Sequence, residues 1–124
     1  MSYHSFKDLK VWQKAVEFAD EVISVVDGLN TSRKHFRLIE QLESAVTSIS
    51  MNVAEGKGRF SKKEFVQFLY IARGSLFETI TLMEIFKKRS WIDDVQYDNL
   101  CNKGDKIGKM LSSLINSIKG NSTL

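Results

Sequence analysis

The sequence predicts an all-α fold, an antiparallel up-down-up-down four-helix bundle. Three observations carry this: 124 residues without a proline, four apolar repeats stepping by three and four, and glycine or polar punctuation between them. A fold of many tight turns and edge strands would normally use proline. Steps of three and four instead keep apolar side chains on one face of a helix. The length suits one domain, residues 1–124, large enough to bury roughly two thirds of its unfolded surface.

The first helix is expected over about residues 8–27, where Leu9, Trp12, Val16, Ala19, Ile23 and Val26 form a stripe and Asp27-Gly28 ends it. After the polar Asn30-Thr31-Ser32, a second helix over about 34–56 carries Leu38, Leu42, Ala45, Ile49 and Asn52, flanked by Ile39, Val46 and Val53. Gly56 and Gly58 suit its C-terminus. Ser61-Lys62-Lys63-Glu64 then has capping-box spacing, with Phe60 and Phe65 placed to form the hydrophobic staple. The third helix, about 62–88, carries Phe65, Phe68, Ala72, Ser75, Thr79, Leu82 and Phe86, with Leu69, Leu76 and Met83 beside them. A second staple follows: Ile92, the cap Asp93, Gln96 and Tyr97. The fourth helix, about 94–119, steps through Tyr97, Leu100, Gly104, Ile107, Leu111, Leu114 and Ile118 before Gly120-Asn121. Short links between such helices force neighbours to run in opposite directions.

The third helix is apolar around nearly its whole circumference, since Val66, Tyr70, Ile71, Phe77, Ile80 and Ile85 add to its stripe. One bundle core cannot use all of that surface, and another subunit is the simplest cover for the rest. Homo-oligomerisation is therefore expected. Within that helix Gly74-Ser75 costs roughly 1 kcal/mol relative to alanine, which close approach of a neighbouring helix would ordinarily explain.

The net charge of +3 is unevenly spread: residues 31–90 carry eleven bases and six acids, and the remainder seven and nine. Folding the helices up and down places Arg33, Lys34 and Arg37 with Lys87, Lys88 and Arg89 at one end. Lys57, Arg59, Lys62 and Lys63 fall at the other with Lys7 and Lys10. Two readings stand side by side. Such bases solvate loops and offset helix C-terminal dipoles, or they form phosphate-contacting surfaces that oligomerisation multiplies, with RNA or DNA as the ligand. No helix-turn-helix spacing, zinc knuckle or RNP-like strand accompanies them, so such binding would be weakly selective.

The second helix also bears a polar line, Gln41, Ser44, Ser48, Asn52 and Glu55. Asn52 falls at a core-phase position, where a paired amide fixes register between helices. Glu55 meets the unfavourable end of the helix dipole and needs a compensating partner; Lys62, Lys63 and the first N–H groups of the third helix are the expected ones.

Catalytic and cofactor chemistry finds no support. His4 and His35 are far apart in sequence, Cys101 has no histidine within helical reach, and neither histidine follows a glutamate by three as a di-iron bundle requires. Gly56 and Gly58 follow a helix, whereas a phosphate loop precedes one. No enzyme activity, metal or cofactor is expected. One cysteine and no run of 18 apolar residues favour a soluble, cytoplasmic protein with no membrane partner.

Taken together, Phe6-Lys7-Asp8-Leu9-Lys10-Val11-Trp12, Gln41-Leu42, Ser48-Ile49, Asn52-Val53-Ala54-Glu55-Gly56 with Gly58-Arg59, and Glu64-Phe65 through Ile71-Ala72 and Gly74-Ser75-Leu76 resemble the bacterial four-helix-bundle family encoded in 23S ribosomal RNA intervening sequences. The resemblance spans nearly the whole chain. It implies an up-down bundle assembling into a ring-like homopentamer. A related branch, the accessory variability determinants of diversity-generating retroelements, implies a basic pentamer that binds reverse transcriptase and nucleic acid. This chain has Glu43-Ser44 where the family often has two bases, and Ser50 where proline is common. The leading expectation is a non-enzymatic, oligomeric binding or scaffold protein contacting RNA or DNA through its basic ends. The alternative is a protein–protein adaptor, docking for instance a reverse transcriptase, without direct nucleic-acid contact.

Overall fold

The computed structural model describes residues 4–29 and 35–120, and among these it is all-helical. A short 3₁₀ turn, Ser5–Asp8, precedes α1 (Lys10–Asp27), α2 (Phe36–Lys57), α3 (Lys62–Lys88) and α4 (Asp94–Gly120). Asp8, expected to open the first helix, instead closes the 3₁₀ turn, and Leu9, in extended backbone, is the N-cap of α1. The second helix is described from Phe36, and the expected start at residue 34 lies outside the described residues, as does Asn30-Thr31-Ser32.

The four helices form a bundle in which α1 packs on α2 and α4, α2 on α3, and α3 on α4. One core joins them, with Phe18, Leu42, Ile49, Leu69, Leu76, Met83, Phe86, Leu100, Ile107, Leu111 and Ile115 among its most deeply buried side chains. The expected stripes are close but shifted. In α1 the buried residues are Val11, Ala15, Phe18, Val22 and, from the expected stripe, Ala19 and Val26, whereas Val16 is exposed and Trp12 and Ile23 half-buried. Two apolar lines run side by side on this helix, and the one carrying the large Phe18 ring takes the core. In α4 the line drifts from Leu114 to Ile115, as a 3.6-residue turn does against a fixed step. Asn52 sits half-buried at the margin of the α2 stripe, and Val53 takes the core position.

The expected box at α4 closes in full, whereas at α3 Ser61 caps the helix and the Glu64 carboxylate meets the Ser61 hydroxyl. Ser61 Oγ accepts the Glu64 N–H at 3.1 Å and donates to the Glu64 carboxylate at 3.1 Å. Asp93 Oδ1 accepts the Gln96 N–H at 2.7 Å, and Gln96 Oε1 accepts the Asp93 N–H at 3.0 Å. Between these helices, α3 ends without a glycine. Ser90 takes φ 61°, its N–H donates to the Lys87 carbonyl at 2.9 Å, and the Trp91 N–H donates to the Phe86 carbonyl at 2.9 Å. This pair of bonds is the Schellman arrangement, and the Trp91 ring completes it by meeting Phe86 edge-on at 5.0 Å.

Candidate nucleic-acid interface

The α2–α3 connection is set by a contact that only glycine permits. A Cβ on Gly56 would lie 2.7 Å from Phe68 Cβ and 3.0 Å from Phe65 Cδ1, so the end of α2 rests directly on the first turns of α3. One to two turns earlier, Asn52 Nδ2 donates to both the carbonyl and the hydroxyl of Ser48 at 2.8 Å, and that hydroxyl meets Ser75 Oγ at 3.0 Å. Thr79 Oγ1 then donates to the Ser75 carbonyl at 2.8 Å. The cross-helix bond is therefore made by Ser48 and Ser75, with Asn52 holding the Ser48 hydroxyl in place. The two blocks that carry the family resemblance, around Asn52 and around Ser75, meet here.

Around this contact stand the four bases of one expected patch. Lys57, Arg59, Lys62 and Lys63 are all exposed, within eight residues of one another. Arg59 Nη2 reaches Glu55 Oε1 at 2.7 Å, and its guanidinium lies 4.7 Å from the centre of the Phe68 ring. Lys57 Nζ lies 6.0 Å over Phe65. Glu55 thus takes its partner from the loop just beyond α2, and the first N–H groups of α3 are capped by Ser61. The 3₁₀ turn bearing Lys7 packs against α2. From Glu55 to Glu64 the four bases face two acids.

The second expected patch lies at the other end of α3. His35 and Trp91 rings lie 4.6 Å apart, which brings the start of α2, with the exposed Arg37, beside the α3–α4 turn. Lys88 and Arg89 are exposed there, and Arg89 lies 5.8 Å from the Trp91 ring. Lys87 is partly spent: its Nζ lies 4.5 Å over Tyr97 and 3.9 Å from Asp94 Oδ1. Asp93 and Asp94 follow at once, so four described bases stand with two acids, as at the α2–α3 end. Arg33 and Lys34 lie outside the described residues.

Other polar contacts tie helices together. Lys103 on α4 pairs with Glu21 on α1. Arg73 Nη1 donates to Ser112 Oγ at 3.3 Å, and Tyr97 donates to Glu84 at 3.4 Å. The Cys101 side chain, burial and the Glu84 carboxylate raise the Tyr97 hydroxyl above its ordinary ionisation, and burial raises the Cys101 thiol. A half-buried thiol held neutral in this way is a poor nucleophile. Among the described residues no cluster of three or more His, Cys, Asp or Glu side chains could hold a metal ion. Among the described residues no helix is long and apolar enough to cross a membrane.

Two features escaped the sequence reading. Gly104 and Gly108 let Leu76 come within 3.4 Å of where their Cβ atoms would be, and Phe18 and Ile80 close on Gly104 as well. With Ser112 they floor an open groove of about 650 Å³ beside Arg73, Phe77 and Ile80. Gly74 reverses its expectation: it is exposed, and among the described residues no atom outside its own stretch of helix would lie within 4 Å of a Cβ there. No helix of the same chain accounts for it.

The fold and site define a helical bundle with a cation-rich interhelical loop. The chain belongs to the 23S rRNA-intervening sequence protein family, whose model matches residues 7–113. It is also similar to the crystal structure of a protein of unknown function from the S23 ribosomal protein family of Bacteroides thetaiotaomicron VPI-5482. That similarity has a TM-score of 0.78 and 30% identity, over 85% of this chain and 97% of that one. No functionally curated protein matches.

Proposed function

We propose that the chain is a non-enzymatic, cytoplasmic, oligomeric bundle protein that binds RNA or DNA through its α2–α3 end. The observation that carries this reading is the exposure of Lys57, Arg59, Lys62 and Lys63 around a fixed helix junction, with Glu55 and Glu64 the acids among them. Cations held on a rigid element contribute affinity by displacing counterions from phosphates, without reading sequence. Reversing all four to glutamate should abolish binding of labelled structured RNA and duplex DNA while the helical circular dichroism stays unchanged. Retained affinity would discredit this end of the molecule.

Oligomerisation belongs to the same reading. The helix order supports an antiparallel up-down-up-down bundle, because partners run in opposite sense: Ser48 with Ser75 and Gly56 with Phe68, or Arg73 with Ser112 and Glu84 with Tyr97. That packing leaves Tyr70, Ile71, Phe77 and Ile85 of α3 in solvent, with Phe77 58% and Ile71 51% exposed. Gly74 lies among them. A second copy of the chain covers this face in the proposed assembly, a ring-like pentamer as the family resemblance implies, and a ring would set several basic ends side by side.

A further inference from the structure

Two helix starts with the same cap-and-staple spacing differ in the apolar residue before the cap. Ser61 caps α3 by accepting the Glu64 N–H and Asp93 caps α4 by accepting the Gln96 N–H, and each is preceded by an apolar residue placed to pack on the residue five positions later. At α4 that apolar residue is packed inward: Ile92 is 4% exposed and belongs to the core, against which Tyr97 also packs. At α3 it is not, and Phe60 is 103% exposed. Its expected partner, Phe65, lies instead over Gly56. A local rule kept at one helix start and broken at the other marks a position shaped by something other than the fold.

The loop backbone that carries this ring is held on both sides. Gly58 N–H donates to the Ala54 carbonyl at 3.2 Å, Arg59 N–H donates to the Gly56 carbonyl at 3.1 Å, and the Ser61 cap fixes the other side. Of the three phenylalanines here, Phe65 and Phe68 are each faced by a cation, Lys57 and Arg59, whereas the Phe60 ring stands in water. We propose that this end is a site for single-stranded nucleic acid, in which Phe60 stacks on an unpaired base while Lys57, Arg59, Lys62 and Lys63 follow the phosphates. The inference rests on the basic-end reading above and narrows it. Non-selective single-strand binders combine these two elements, because every base has a π-face. Bases in a duplex are already stacked and offer a lone loop ring nothing further. The loop carries one apolar side chain among four cations, where an interfacial membrane anchor would present an apolar face.

The test compares fluorescein-labelled oligothymidylate and oligouridylate of about 20 nucleotides with a duplex of equal length, for the wild type, Phe60→Ala and Phe60→Trp. Full exposure of the ring means the variants keep the fold, which circular dichroism checks. The single strands should bind more tightly than the duplex. Phe60→Ala should weaken single-strand binding roughly fivefold or more, with duplex affinity and salt slope unchanged, and Phe60→Trp should retain it. Equal affinity of Phe60→Ala and wild type for single strands would overturn the stacking role. Salt-dependent duplex binding with no single-strand preference would do so too, while leaving the basic end intact. Binding of neither probe removes both readings, and Phe60-dependent binding to phosphatidylserine vesicles alone would reassign the loop to a membrane surface.

Discussion

Ser90 holds a left-handed backbone conformation that costs a non-glycine residue about 1 kcal/mol or more. It is tolerated because the turn it makes closes two α3 carbonyls and seats Trp91 on Phe86. Ser90→Gly should therefore stabilise the chain by about 1 kcal/mol, raising the melting temperature by roughly 3 to 6 °C; an unchanged or lower value would contradict the strain. Gly56 is the opposite case. Gly56→Ala drives a methyl into Phe68 and should cost about 1–3 kcal/mol in denaturant titration, whereas Gly58→Ala, in ordinary helical backbone with its nearest neighbour 3.6 Å away, should not destabilise. Tyr97 and Cys101 make a prediction in pH. Both ionise higher in the fold than their ordinary values of 10.0 and 9.0, so folding favours their neutral forms. That stability is complete below the ordinary values and is lost as pH rises above them. The melting temperature should fall above about pH 9, and a Tyr97→Phe, Cys101→Ala double variant should lose less over the same range; identical alkaline profiles would rule the pair out as the cause.

Helix boundaries were legible because caps and glycines mark them chemically, and α3 runs from Lys62 to Lys88 as its flanking signals indicate. Faces were less legible. On α1 two apolar lines compete, and nothing local distinguishes Val16 from Phe18; only packing against Gly104 does. Phe60 and Gly74 misled for one reason. Each fits a rule about neighbours within a chain, and each turns outward. Glu55 was read as a tie to α3, yet Arg59 lies one turn away and needs no distant partner. For α3 the consequence is measurable. With open space around it, Gly74→Ala should add about 1 kcal/mol of helix propensity to the isolated subunit while weakening any assembly that uses the Tyr70, Ile71, Phe77 and Ile85 face. Light scattering should then show a lower mass at equal concentration, and an unaltered oligomer with a higher melting temperature would place the interface elsewhere.

At the scale of the molecule, the net charge of +3 says little, and its placement says more. Each end sets four described bases against two acids, and the α2–α3 end is distinguished by carrying its bases on a junction locked by Gly56 and by Ser48 with Ser75. The sequence could count these charges, but it could not show that the two blocks around Asn52 and Ser75 build the junction itself. The most direct measurement is fluorescence anisotropy of labelled structured RNA and duplex DNA with the wild-type protein across salt concentrations, with its mass recorded in parallel. The account predicts binding by the oligomer, with log affinity falling linearly against log salt at a slope of about −3 or steeper, as roughly four neutralised phosphates per site would give. No binding at low salt, or an affinity indifferent to salt, would contradict it.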